Sequence, residues 1–221
     1  MVKNRFEKPV AKDAQPVAPR IAEQLDLCLT QELEDEGLYS ALKFEQVSFR
    51  GQHIEHARFE ASSATGTEFC ETELKTARFS DVRLERCNLT NAQWTLATMR
   101  RVEFNVCGLT GFKIPESKLQ DVVFKECKAP LSSFRFAKFE SVIFDRCILT
   151  EADFYSAEFV NVVFLNCELQ QADFSRSKLK GVDLRGSNLE GIKAGPPELT
   201  GAIIEPGQAI LLARAMGLDV R

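Results

Sequence analysis

Five cysteines, Cys87, Cys107, Cys127, Cys147 and Cys167, recur every 20 residues, and thiols in such a series could pair as disulfides or hold a soft metal. The chain has seven Cys, an odd count, with no close Cys pair or neighbouring His of the kind that makes a zinc site. On stacked strands the thiols would lie about 4.8 Å apart, wider than the Cβ separation of about 3.8 Å that a disulfide wants. Ser187 and Thr67 continue the series in phase, so the thiols read as small buried apolar groups. His53 and His56 are the only histidines and read as outward surface groups. No Gly-rich phosphate loop, metal-ligand spacing or nucleophile elbow is present, so neither an enzyme nor a cofactor site is expected.

The elements that place these residues follow from a second regularity. A bulky apolar residue occupies every fifth position from Phe44 to Ile204, and only Ala64, Ala129 and Ala194 depart from it. Two residues before each such centre, 28 of 33 positions are Ala, Ser, Thr, Cys or Val. The exceptions are Leu42, Gln52, Phe112, Ile192 and Pro197. A helix would smear a period of five around its axis, and a flat strand would send alternate centres to opposite faces. A turning backbone must set the period. If five residues form one side of a square coil, four sides close after 20, the interval shared by the cysteines and by Val82, Val102, Val122, Val142, Val162 and Val182.

Runs such as Ala152-Asp153-Phe154-Tyr155-Ser156 and Ser187-Asn188-Leu189-Glu190-Gly191 resemble the pentapeptide-repeat family, and the likeness covers residues 44–204. The resemblance implies an all-β solenoid, a right-handed quadrilateral β-helix of about eight coils, with a short N-terminal cap and a C-terminal α-helix. Of the 17 Phe, 14 occupy centres, so aromatic use is structural. Phe112, large at an inward position reserved for small residues, is expected to push out or to distort its coil.

The flanks lack the period. Residues 1–20, rich in Pro, Ala and Lys, read as a flexible tail, and residues 21–43 as a short helix or extended cap over the first coil. Residues 205–221 change code: Gln208–Met216 reads as a helix ended by Gly217. Its apolar residues Ile210, Leu211, Leu212 and Met216, with Leu218 beyond, nearly surround it. One face can cap the last coil and another can pair with a second copy, giving a homodimer.

On the outward positions, residues 140–173 carry one basic and seven acidic residues: Glu140, Asp145, Glu151, Asp153, Glu158, Glu168 and Asp173. Val123, Ile143 and Val163, with Leu165, form an apolar stripe on one side of three coils. Either a terminal segment covers it or a partner does. The net charge of −4 argues against direct nucleic-acid binding. The absence of a long apolar run or leader makes a cytoplasmic protein without membrane spans the expectation.

The terminal helix also resembles that of pentapeptide-repeat proteins that protect DNA gyrase from quinolones and peptide toxins. That resemblance implies a DNA mimic whose partner is gyrase or topoisomerase IV, with antibiotic resistance as the outcome. The charge supports this only in part. A duplex of about 38 Å carries roughly 22 negative charges, whereas residues 44–204 hold 20 basic and 22 acidic residues. A generic interaction scaffold with another protein partner is the alternative.

Overall fold

The structure, a computed structural model, describes residues 15–220. Every fifth residue from Glu36 to Gly191 has a positive φ between 46° and 78°. Only six of these corner residues are glycine (51, 66, 111, 181, 186 and 191). The rest accept a conformation that costs an L-residue about 1–2 kcal/mol. What offsets the cost is regular. The corner N–H of residue i is donated to the carbonyl of residue i+19 on the next coil, as in Gln46 to Thr65 (3.0 Å), His56 to Lys75 (2.9 Å) and Arg86 to Asn105 (2.9 Å). One such bond contributes about 0.5–1.5 kcal/mol.

Four corners per 20 residues give a parallel-strand solenoid of about seven turns. Its elements are β1 Asp26–Leu27, β2 Leu38–Ser40, β3 Leu42–Glu45, β4 His53–Glu55, β5 Arg58–Thr65, β6 Glu73–Lys75, β7 Arg78–Glu85, β8 Thr98–Asn105, β9 Lys118–Lys125, β10 Lys138–Asp145, β11 Glu158–Leu165, α1 Pro196–Leu199 and α2 Pro206–Ala215. The main sheet runs β1-β3-β5-β7-β8-β9-β10-β11, with β2 also on β5 and a second sheet of β4 and β6. Each eight-residue strand bends at its corner, such as Ser141 in β10. Register between coils is 20 residues throughout the stack, for example Phe124↔Phe144↔Phe164.

Both inward series are buried except at the two ends of the stack, where members such as Val47 and Leu199 are half-buried, and the core is a set of columns. Phe144 stacks on Phe124 (4.7 Å) and Phe164 (4.8 Å) with nearly parallel rings, and meets Phe134 and Phe154 edge-on at 6.0 and 6.1 Å. Trp94 donates its indole N–H to Thr72 Oγ1 at 3.1 Å, so its polar atom is satisfied inside. Phe112 neither points outward nor breaks the register: it is fully buried, edge-on to Trp94 at 5.3 Å, and Lys113 keeps its bridges to Gln93 and Ser133. Its own coil places Leu109, Ile114 and Leu119, none of them aromatic, at three centres, and the small Ala92 and Ser132 lie above and below it, which leaves room for the ring.

The cysteines are free and, except for Cys28, buried. Each thiol of the 20-residue series points to a carbonyl 23 residues back, as Cys127 Sγ does to Phe104 O at 3.3 Å. Neighbouring thiols and then burial raise the Cys107 and Cys147 pKa values, which keeps these sulfurs protonated donors. In the same column Ser187 Oγ makes the equivalent bond to Phe164 O at 2.9 Å. The column therefore selects a small hydrogen-bond donor, which a thiol or a hydroxyl supplies.

A glutamine closes each end. Gln52, one of the large exceptions among the inward residues, accepts from Leu33 N–H (2.8 Å) and donates to Gln31 O (2.7 Å). That ties the preceding segment over the first coil, where β1 pairs β3 with a register of 16 (Asp26↔Leu42). At the far end Pro196 falls on the corner series, and proline cannot take a positive φ. The chain makes α1 there instead, and Gly201 (φ 79°) supplies one last corner. Gln208 of α2 then donates to Leu184 O and Ser187 O, both at 2.7 Å, while Leu212 one turn later is also buried.

The tail expected through Arg20 lies outside the described residues for 1–14. Residues 15–20 follow the rod: Val17 N–H donates to Asp121 Oδ1 (3.1 Å) and Arg20 N–H to Asp81 Oδ1 (2.8 Å). Three residues thus cross two coils, about 10 Å, which requires a nearly extended chain. Pro16 and Pro19, which have no N–H, each directly precede one of the two donors.

Replacing Phe144 with Ala empties the middle of an aromatic column and should cost about 3–5 kcal/mol in denaturant unfolding. Replacing Cys127 with Ser, the residue that position 187 already uses, should cost about 1 kcal/mol. A Cys127→Ser loss as large as that of Phe144→Ala would show that the thiol does more than fill and donate.

Candidate interaction surfaces

Alternation within each side leaves two outward columns, with a corner column between sides. The acidic residues of 140–173 are spread over all four sides rather than gathered on one. Several are already paired: Asp153 with Arg135 (2.7 Å), Glu158 with Lys138 (2.9 Å) and Asp145 with Arg146 (3.0 Å). Glu168 accepts from Gln170 Nε2 (2.8 Å), and Asp173 accepts the Ser175 N–H (2.8 Å). Glu140, Glu151 and Asp173 have no ion-pair partner among the described residues. Asp153 and Asp173 are bridged neighbours in one column, and Glu151 is at the corner beside them.

The apolar stripe is in register as Val123↔Ile143↔Val163. Its surface is less open than the alternation suggests. Val163 is buried, and Val123, Ile143 and Leu165 are half-buried. The column continues into Asp183, itself buried and gripped by Arg185 through Nε (2.9 Å) and Nη2 (2.6 Å). On α2, Leu212 faces the rod, Leu211 is half-buried, and Ile210, Met216 and Leu218 are exposed.

One side holds a group that the sequence reading did not select. Leu131 and Phe136 occupy the two corners of one side of the same coil, at φ 58° each, and are 57% and 48% exposed. Leu96 lies two coils earlier in the Phe136 column, also left-handed and exposed. Arg135 reaches over the Tyr155 ring (4.3 Å), which meets Phe136 edge-on at 5.7 Å, and Arg176 approaches Tyr155 from the next coil (5.8 Å). Asp153 and Asp173 lie on this side too, and Glu151 is directly above Leu131. Phe136 could have been found from phase alone, since it stands outside the centres that hold 14 of the 17 Phe. Which phase forms the corner was not legible.

The most buried ion pair is under the amino-terminal segment. Arg101 binds Asp81 through Nε (2.6 Å) and Nη2 (2.5 Å), with side chains only 11% and 14% exposed. Arg101 holds the Asp81 carboxyl below the usual aspartate value, burial opposes this, and the Arg20 N–H adds to the lowering.

His53 and His56 are exposed, His53 Nε2 near Glu73 (3.5 Å) and His56 Nδ1 bonded to Thr76 Oγ1 (2.6 Å). Among the described residues no cluster of three or more His, Cys, Asp or Glu could hold a metal, and no helix is long and apolar enough to cross a membrane.

The family model for the pentapeptide repeat region matches residues 38–103 and 137–204, and the model for pentapeptide repeats (8 copies) matches residues 117–155. No curated protein matches the chain. Among solved structures, it is similar to HetL, a pentapeptide repeat protein involved in heterocyst differentiation regulation from the cyanobacterium Nostoc sp. strain PCC 7120. The identity is 17% and the TM-score 0.42, over 81% of this chain and 93% of that one. Full-length QnrB1, a plasmid-mediated fluoroquinolone resistance protein, is 19% identical with a TM-score of 0.32, over 82% of this chain and 100% of that one. Neither likeness is strong enough to transfer an activity.

Because the Asp81 value is depressed on folding, its stabilisation is complete above the usual aspartate pKa of about 3.9 and is lost as pH falls through the lower folded value. Asp81→Asn should therefore lower stability by about 1–3 kcal/mol near neutral pH, since it leaves Arg101 without its charged partner. The gap between native and variant melting temperatures should narrow below pH 4. A gap independent of pH would mean that the carboxylate charge is not what matters there.

Proposed function

We propose that this chain, which belongs to the pentapeptide-repeat family, is a non-enzymatic rod in the cytoplasm that binds a protein partner through the side bearing Leu131, Phe136 and Tyr155. The observation that carries this reading is the exposure of large apolar side chains. At both corners of one side, bulky apolar residues accept a left-handed backbone and yet remain in solvent. Every corner of the rod is left-handed, so what sets these two apart is that about half of each side chain stays in solvent although Phe136 meets Tyr155, and neighbouring exposed apolar groups mark a surface that is used. Arg and Tyr beside them are the residue types that dominate binding hot spots. Glu151, Asp153 and Asp173 share the side with Arg135 and Arg176, and because Asp153 is paired with Arg135, Glu151 and Asp173 are the carboxylates left to meet basic groups of a partner that also offers apolar ones.

Among such partners we infer a type II topoisomerase, gyrase or topoisomerase IV, whose DNA-binding surface is basic. The rod would lie where duplex DNA lies, and resistance to quinolones or peptide toxins would follow. The pairing of Asp153 with Arg135 on this side and of Glu158 with Lys138 on the next weakens the mimicry, so recognition rests on Glu151 and Asp173, which have no ion-pair partner among the described residues, and on the exposed apolar corners. A scaffold for a different protein uses the same side, and the two readings part on the partner's identity.

Replacing Leu131 and Phe136 with Ser, and separately Glu151 and Asp173 with Lys, should each weaken topoisomerase binding tenfold or more, by about 1.4 kcal/mol at least. Surface substitutions of this kind should leave the melting temperature nearly unchanged. If the native rod neither binds gyrase or topoisomerase IV nor alters supercoiling rate in a titration, the topoisomerase reading is gone and only the scaffold remains.

The exposed Ile210, Met216 and Leu218 on and beyond α2 support a two-fold dimer through that helix, which would place two rods end to end. Light scattering at roughly tens of micromolar should give the dimer mass, and Ile210→Lys with Met216→Lys should give the monomer. A native chain that is monomeric at that concentration would leave α2 as a cap alone.

A further inference from the structure

Opposite charges commonly face each other between the coils of this rod. Lys75 pairs with Glu55 (3.0 Å), Arg83 with Glu103 (2.7 Å) and Arg146 with Glu126 (2.8 Å), each pair 20 residues apart. The first halves of β5, β7, β8 and β9 break that habit. Arg58 is in register with Arg78, Arg78 with Thr98, and Thr98 with Lys118. Arg100, two residues after Thr98 on the same face, supplies the charge that the threonine lacks. Arg58, Arg78, Arg100 and Lys118 are all exposed, and none of these side chains has an ion-pair or hydrogen-bond partner among the described residues. Like charges set directly opposite across strands destabilise a sheet, so the fold itself does not account for Arg58 on Arg78.

We propose that this strip docks an extended, carboxylate-rich polypeptide segment lying along the rod. The strip offers one free cation on each successive coil from Arg58 to Lys118, three steps of about 4.8 Å or about 14 Å in all. In an extended segment, residues i, i+2 and i+4 point the same way and span about 13 Å, so alternate Glu or Asp residues meet the strip over its whole length. Three of the cations are Arg, whose planar fork can donate two hydrogen bonds to one carboxylate. A nucleic-acid duplex fits less well. Glu60 and Glu116 flank the strip and Glu140 and Glu158 lie beyond it, so a duplex with a charge every about 1.7 Å would set phosphates against carboxylates. The outward positions of this face hold no aromatic ring on which unstacked bases could lie. The strip repels the basic surface proposed for the Leu131–Phe136 side, so it takes a second ligand, and the inference stands without that reading.

Fluorescence anisotropy of a short labelled peptide of alternating Glu and Ser tests the proposal with the full chain at low salt, where exposed charges are least screened. The native rod should bind the peptide saturably, and Arg58→Glu with Arg78→Glu should weaken binding about tenfold or more. Lys125→Glu with Lys128→Glu changes the net charge equally on two other sides and should weaken binding less than about twofold. Arg78→Glu alone sets an opposite charge against Arg58, as elsewhere on the rod, and should leave the melting temperature equal or higher while weakening the peptide. No saturable binding, or equal losses in the two double variants, overturns the proposal. So does a lower melting temperature for Arg78→Glu, which would assign the arginine to the fold. Tighter binding of single-stranded DNA with the same number of charges also overturns it and would assign the strip to nucleic acid.

Discussion

The left-handed residue at every fifth position is the constraint on which the rest of this molecule depends. It turns the chain by one side, and its N–H, aimed along the rod, is accepted by the coil above. Each corner is unfavourable alone and tolerable in a stack, because the neighbouring coil returns a hydrogen bond of similar size. The consequence is cooperative in one dimension: coils stabilise neighbours, and an end coil is satisfied on one side only.

That asymmetry explains the two ends. An unfinished coil exposes carbonyls, amides and a layer of aromatic rings, and each end answers with an amide side chain that both donates and accepts. Gln52 reaches back to Gln31 and Leu33, and Gln208 reaches back to Leu184 and Ser187 while accepting from Glu205 N–H. Pro196 acts with Gln208 by making a further corner impossible at its position, so the chain leaves the coil and enters the helices.

Much of the fold was legible because the inward columns demand particular side chains. Phe, Leu and Ile at centres, and small residues two before them, mark the core without structural help, and the cysteine column announces its 20-residue interval. The corners were illegible for the opposite reason. Positive φ constrains the backbone, while most corner side chains face solvent, so Glu, Arg, Asp, Leu, Phe and Gly all appear there and no one residue type marks the position. Phe112 misled because a single position was judged against a rule, when its neighbours beside, above and below it set the room available. The candidate surface was half legible: the carboxylates were visible, but ion pairing between coils, as in Asp153 with Arg135, depends on a three-dimensional register in which residues 18 apart become neighbours.

The same register makes the four sides of the rod independent of its length. Removing or inserting 20 residues deletes or adds one storey and leaves every remaining column aligned, whereas a change of five would keep the core in phase but rotate everything beyond it by a quarter turn. If the change fell between them, the Leu131–Phe136 side would then face a different direction from helix α2, although the core columns stayed in phase. Selection on this chain can thus alter where surfaces point without altering what holds them, and tolerated insertions in relatives should come in whole storeys wherever two distant surfaces must meet the same partner.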